Sequence, residues 1–190
     1  YAKDYASLAS AISAAVSQNK WLILESGATY TLSSEITQPI TGGQGIKIWG
    51  NNALIQGNFS GFLLKFTMSG EPSTPVPIVI RDIHMNNSSG SGLGFYGGTQ
   101  TGSPKNRGEI SNVYSNNGFG SQFIRIENFR NLSFYNCSSK SNDSSQTKGS
   151  FIVAGNDGLF AGDVVCHACE FTQPDTTQSG APLFLFSGGS

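Results

Sequence analysis

One short pattern recurs four times in the chain and constrains its fold more than any other feature. Each copy has an apolar residue, a spacer ending in Asp or Asn, and then alternating apolar residues. The copies are IRDIHMNN from Ile80, ISNVYSNN from Ile110, FRNLSFYNC from Phe129 and AGDVVCHAC from Ala161. Their aligned residues, 30, 19 and 32 positions apart, are Asp82, Asn112, Asn131 and Asp163. A constant core with variable spacing is typical of a solenoid whose loops differ in length.

A column of Asp and Asn residues has a physical use at a bend between strands. Both residue types tolerate the left-handed backbone conformation, and their short side chains hydrogen-bond to nearby main chain. Stacked amides also bond to one another along a solenoid. We therefore interpret Asp82 and Asp163 as turn-forming residues in preference to catalytic acids.

The N-terminal part of the chain predicts one amphipathic helix over residues 5–18. Its apolar positions recur at helical spacing: Leu8, Ile12, Ala15 and Val16. Asp4 or Ser7 is available as the N-cap, and Asn19 ends the pattern. After this helix, apolar residues alternate over short runs, and the 24 glycines fall mostly in polar clusters between them. Because apolar runs return after each cluster, the clusters are interpreted as turns between strands.

These segments together resemble the right-handed parallel β-helix of the pectate-lyase-like superfamily, and most closely the start of a bacteriophage tailspike or capsule depolymerase. Besides the repeats, the resemblance rests on the helix YASLASAISAAVSQNK, the strand pair WLILESGATYTLSSEI and the segment IKIWGNNALIQG. Gly27, Tyr30 and Leu32 match that family's L-P-x-G-x-Y-x-L pattern with one additional residue between Gly27 and Tyr30, whereas Glu25-Ser26 replaces the usual Pro-Ala. The resemblance implies an all-β fold, a right-handed single-stranded parallel β-helix over 21–190, with one N-terminal capping α-helix. Residues 1–190 then form one domain or a fragment of one.

The resemblance also implies a function. A tailspike-type protein recognises and depolymerises a bacterial surface polysaccharide, such as capsule or O-antigen, as a homotrimer in the phage virion. Two alternatives stay open: a receptor-binding or structural phage β-helix without catalysis, and a secreted microbial polysaccharide lyase that acts as a monomer. The fold alone does not decide among them, since it hosts lyases, hydrolases and adhesins. The Asn-Thr-Asp, Asp-Asp and Gly-His-Gly signatures of polygalacturonases are missing, which counts against a pectin hydrolase of the usual kind.

Strand alternation indicates which side chains face solvent. With isoleucine, valine and phenylalanine neighbours pointing inward, the candidate sugar-binding residues point outward: Trp49, His84, Tyr114, Arg125 and Tyr135. Aromatic faces pack on the C–H surfaces of sugars, and polar neighbours bond the hydroxyls. The alternative is that these aromatics pack under an inserted loop or against the next subunit.

Three carboxylates are candidate catalytic residues. Glycoside hydrolysis needs two carboxylates that flank the scissile bond, and Glu109 and Glu127 are outward-facing candidates on neighbouring coils. Asp157, in the GNDG loop, is a third. An eliminative lyase instead needs a base and a cation that neutralises the uronate carboxylate, for which Arg81 with His84, or Arg125, would serve. We leave hydrolase and lyase chemistry open.

Composition narrows the partners further. The net charge is -1 with 12% charged residues, so we expect no nucleic-acid partner. No apolar run approaches the roughly 20 residues that span a bilayer, so we expect no membrane insertion. We expect no cofactor, and no metal site from Cys166, His167 and Cys169, because a second ligand cluster is missing. The three cysteines, among them Cys137, are interpreted as buried free thiols. Because the chain begins at Tyr1 and ends on SGGS, we expect an excised or processed fragment.

Overall fold

The computed structural model shows one α-helix followed by strands. It describes residues 1–41, 44–68, 76–97, 106–115, 119–127, 129–140, 151–154, 162–172 and 184–187. A 3-10 helix at Ala2–Asp4 precedes the α-helix α1, Leu8–Ser17. The strands in chain order are β1 Leu22–Ile23, β2 Thr29–Leu32, β3 Ile36–Ile40, β4 Ile46–Gly57, β5 Phe62–Met68, β6 Val76–Asn87, β7 Ser91–Gly97, β8 Asn106–Ser115, β9 Ile124–Glu127, β10 Arg130–Tyr135, β11 Ser138–Lys140, β12 Phe151–Ala154, β13 Gly162–His167, β14 Glu170–Thr172 and β15 Phe184–Ser187.

All strand pairs among the described residues are parallel, and they form two sheets. A nine-stranded sheet has the path β1-β4-β6-β8-β10-β13, with β2, β11 and β14 beside it. A six-stranded sheet has the order β3-β5-β7-β9-β12-β15, and the chain alternates between the two sheets. This arrangement confirms the all-β parallel β-helix with a single short N-terminal helix.

A bend divides the nine-stranded sheet into two faces of the solenoid. The first face carries β1, β10, β13 and the parts of β4, β6 and β8 before the bend. The second face carries β2, β11, β14 and the parts of those three strands after it, and the third face is the six-stranded sheet. We call residues that pair side by side in successive strands a column.

The bend is made by a column of residues with left-handed backbone. Its φ angles are 61° at Asn52, 58° at Asp82, 53° at Asn112, 50° at Asn136 and 50° at Ala168. The Asn112 amide nitrogen donates to Asp82 Oδ1 at 2.8 Å, and the Asn136 amide donates to Asn112 Oδ1 at 2.8 Å. The turn-forming role of Asp82 and the ladder of stacked side chains are therefore confirmed.

The alignment of Asn131 and Asp163 with this bend is wrong. Tyr135 pairs with Ser111, which places Asn136 and not Asn131 beside Asn112. Asn131 lies near the start of β10, and the paired neighbours of Asp163 place it in the same column, inside β13. The local pattern misled the alignment because Asn131 also has left-handed backbone, with φ of 52°, at a different point of its coil.

The helix α1 covers the N-terminal end of the solenoid, as predicted. Leu8, Ile12 and Val16 are buried and pack on the first strands. Ser7 is the N-cap, since its hydroxyl accepts a hydrogen bond from the Ser10 amide at 3.1 Å. An amphipathic helix here shields apolar surface that would otherwise be open to another chain.

The interior is apolar, and only some of the cysteines are buried in it. Phenylalanines stack between coils, with ring centroids 5.6 Å apart for Phe66 and Phe95. Cys137 is fully buried and Cys169 partly buried, but Cys166 is exposed. The prediction of three buried thiols is therefore wrong for Cys166. This residue pairs with Phe134 in β10, but β13 is the last described strand on its side of the sheet, so no described strand covers Cys166 from the other side.

Candidate functional site

All the predicted site residues that the structure describes face solvent, but they lie on three different faces. Trp49, Glu109 and Tyr135 are on the first face, and His84 and Tyr114 are on the second. Arg125 and Glu127 are on the third, and Asp157 lies outside the described residues.

Glu109 and Glu127 do not flank a common position on this chain. Glu109 is in β8 of the nine-stranded sheet, and Glu127 is in β9 of the six-stranded sheet. Both side chains point away from the shared core, so they point away from each other. A pair of catalytic carboxylates working on one bond therefore does not arise from these two residues of one chain.

On the third face, Glu127 is held in an ion pair. Arg125 donates to Glu127 Oε2 through Nε at 3.1 Å and through a terminal nitrogen at 2.8 Å. The guanidinium also lies 6.0 Å from the ring centroid of Tyr96, whose pKa is raised by burial. These contacts engage both charged groups, so we interpret Arg125 and Glu127 as residues that stabilise the third face.

On the second face, His84 and Tyr114 form an aromatic pair with ring centroids 5.6 Å apart. The hydroxyl of Tyr114 donates to Asn112 Oδ1 at 3.2 Å and accepts from the Asn136 amide at 2.7 Å. Burial raises the pKa of Tyr114. The polar end of this tyrosine thus serves the bend ladder, while part of its ring stays accessible.

On the first face, an open groove of about 370 Å³ crosses three strands. Its outward lining residues are Pro77, Val79, Arg107, Glu109, Ser133 and Tyr135. Glu109 lies between Val79 and Ser133 in one column. Arg107 is two positions earlier on β8, so it points to the same side. No hydrogen bond or ion pair within the described chain engages either charged group.

The groove borders a column rich in aromatic rings. That column contains Trp49, Arg81, Ser111, Tyr135 and His167. The rings of Tyr135 and His167 are stacked, with centroids 5.0 Å apart and planes 4° from parallel. At the other end, Arg81 lies over the rings of Trp49 and Trp21.

Several residues of this face escaped the sequence patterns. Trp21 precedes buried Leu22, and Arg107 is two positions before Glu109, so alternation alone marks both as outward. Ser133 lies between buried Leu132 and Phe134, so the same signal marks it, whereas His167 lies between Cys166 and Ala168, which are both exposed, and alternation does not mark it. What alternation does not give is which of the outward residues share a face.

The described ranges contain no cluster of side chains suited to binding a metal ion. Among those residues, no group of three His, Cys, Asp or Glu side chains is arranged to hold a metal ion. None of the helices in the described part of the chain has the length and apolar character needed to cross a membrane.

Comparison with known proteins adds no relative: no family model, no curated protein and no solved structure matches the chain.

Proposed function

We propose that the protein is a polysaccharide-binding β-helix of the phage tailspike type, which recognises a bacterial surface polysaccharide along its first face. The observation that carries the proposal is the open groove lined by Arg107, Glu109 and Tyr135 beside a column of aromatic rings. The groove offers charged groups without partners in the described chain, next to flat apolar faces. Sugar sites combine these two features.

The spacing of a parallel solenoid suits a polymer. Neighbouring strands lie about 4.8 Å apart, so the four steps from Trp49 to His167 cover about 19 Å along the axis. A chain of sugars laid along this column meets an aromatic ring near each end, with Arg81 and Ser111 between them. Such a wall binds an extended glycan more readily than a compact ligand.

Cleavage of the glycan is the finer part of the proposal. Glu109 is the described carboxylate best placed to act as a general acid or base in the groove. Arg107 beside it favours an eliminative lyase, because a cation there neutralises a uronate carboxylate while a base removes the neighbouring proton. A hydrolase would need a second carboxylate from outside the described residues or from another subunit.

The proposal includes a homotrimer in the phage virion, with a monomeric secreted lyase as the alternative. Light scattering of the purified protein measures its mass and separates the two. A stable monomer contradicts the tailspike assembly and leaves the secreted lyase.

Binding is tested with an array of bacterial capsular and O-antigen polysaccharides. We expect Tyr135→Ala to weaken binding about fivefold, since loss of one stacked aromatic removes on the order of 1 kcal/mol. Tyr5→Ala is the matched control, because Tyr5 on the cap and Tyr135 are each 39% exposed. Equal affinities of the two variants, or no binding to any glycan by the native protein, would refute the proposal.

Catalysis is tested on any glycan that binds, by following new reducing ends and ultraviolet-absorbing unsaturated products. We expect Glu109→Gln to abolish turnover and to keep binding. Unchanged turnover would remove Glu109 from the mechanism, and no product from the native protein would leave a binding protein without catalysis.

A further inference from the structure

Two tryptophans enclose an arginine at the N-terminal end of the first face. The guanidinium carbon of Arg81 lies 5.1 Å from the ring centroid of Trp21 and 5.2 Å from that of Trp49. Arg81 and Trp49 are paired neighbours on β6 and β4, while Trp21 directly precedes β1. The two indoles therefore hold the guanidinium by cation–π contacts.

The arginine has hydrogen-bonding capacity that the described protein does not use. Its Nε is buried without a hydrogen bond and forms only a long ion pair, 4.0 Å from Asp82 Oδ2. No described residue bonds its terminal amino groups, yet the side chain is 44% exposed. The guanidinium is thus fixed in place, and its two terminal amino groups are the donors left for a ligand.

The surrounding charges leave this end of the first face positive. Asp82 is the acidic neighbour, and its Oδ1 already accepts a hydrogen bond from Asn112 at 2.8 Å. Lys47, two positions before Trp49 on β4, adds a second cation whose Nζ donates to the Asn19 carbonyl at 3.3 Å. The balance of Arg81, Lys47 and Asp82 favours an anionic ligand.

We propose that Trp21, Arg81 and Trp49 form a subsite for the carboxylate of an acidic sugar. A guanidinium binds a carboxylate through two parallel hydrogen bonds, and Trp21, which is 45% exposed, offers its ring to the apolar side of the same sugar. A single acidic sugar is enough to occupy the subsite. The subsite rests on the proposed function only in that it would bind one sugar of a longer glycan.

The test uses the intrinsic fluorescence of the protein. The chain has only 2 tryptophans, and both belong to the subsite, so every change in tryptophan emission reports on it. Free glucuronate is titrated into the native protein beside three comparison ligands: glucose, glucuronamide and glucose 6-phosphate. We expect a saturable change with glucuronate and little change with the uncharged sugars.

Two variants locate the effect. Arg81→Gln should weaken glucuronate binding at least tenfold, and Arg81→Lys should weaken it less, because the charge is kept while the fork is lost. Lys3→Gln is the matched control: it removes a surface cation that also lies over an aromatic ring, 5.6 Å from the centroid of Tyr1. Thermal unfolding of each variant checks that the fold is kept.

Each outcome decides the point. No emission change with glucuronate, an equal change with glucose or glucuronamide, or an unaltered titration of Arg81→Gln overturns the subsite. An equal response to glucose 6-phosphate overturns its assignment to carboxylates. Failure of the subsite while the native protein binds neutral polysaccharides leaves the proposed function standing, whereas a glucuronate response without polysaccharide binding supports the subsite and contradicts the proposed function.

Discussion

The bend ladder makes the most specific prediction about stability, through the substitution Asn112→Ala. Asn112 is the middle member of the ladder: it donates to Asp82, accepts from Asn136 and also accepts from the hydroxyl of Tyr114. Its backbone is left-handed, with φ of 53°. Alanine removes all three hydrogen bonds and has no local bond to support that backbone conformation.

The size of the effect follows from these contacts. Loss of the charge-assisted bond to Asp82 destabilises the fold by about 1.5 kcal/mol, and loss of the more exposed bond from Asn136 by about 0.5 kcal/mol. The hydroxyl of Tyr114 keeps its bond from the Asn136 amide, so its lost bond to Asn112 is left out of the sum. A left-handed alanine adds about 1 kcal/mol of steric strain. We therefore expect Asn112→Ala to lower the free energy of unfolding by about 3 kcal/mol.

A matched variant separates the backbone from the side chain. Asn52 is also left-handed, with φ of 61°, but its side chain is exposed and makes no hydrogen bond within the described chain. Asn52→Ala should thus show only the strain of about 1 kcal/mol. Urea unfolding followed by circular dichroism gives both values. If Asn112→Ala is no more destabilising than Asn52→Ala, the ladder does not stabilise the bend.

Two further predictions concern ionisable groups. The hydrogen bond from Tyr30 holds the pKa of Glu25 below its ordinary value of 4.5, so the stability that this contact adds is present at neutral pH and is lost as the pH falls through the acid range. Tyr30→Phe should therefore lose less stability on acidification than the native protein in thermal melts; parallel losses would contradict this. Burial raises the pKa of both Cys137 and Cys166 to about 12, so solvent access and not thiol acidity separates them: a thiol reagent at neutral pH should modify Cys137, which is fully buried, more slowly than Cys166, which is exposed. Peptide mapping after timed alkylation measures this order, and faster labelling of Cys137 would count against the buried position.

The sequence predicted orientation well, because strand alternation is a local property. Glu109, Tyr135 and His84 were each placed outward by a buried neighbour in the same strand, and the structure agrees. The helix over the open end followed in the same way from the spacing of Leu8, Ile12 and Val16.

The sequence did not predict which outward residues share a face, because the lengths of the turns decide which face a strand joins. Glu109 and Glu127 are close in sequence but lie on different sheets. The contact of Arg81 with Trp49 depends on the pairing of β6 with β4, which brings together two residues that are far apart in the sequence. Asn131 shows the same limit: its local pattern matches that of Asn112, and only the pairing of whole strands reveals the different column.

The in-register stacking of the strands has a mechanical consequence. Each strand is hydrogen-bonded to the strand one coil away, and these bonds run along the axis of the solenoid. Under a force along that axis the rungs are in series and carry the same load, and the terminal coil, which has a neighbour on one side only, opens first, so the protein would unfold coil by coil. A coil of the length that separates Asp82 from Asn112 would release roughly 100 Å of chain at each step. Under the proposed function, with the protein anchored at one end and a cell-surface polymer bound along its side, such stepwise extension would absorb tension.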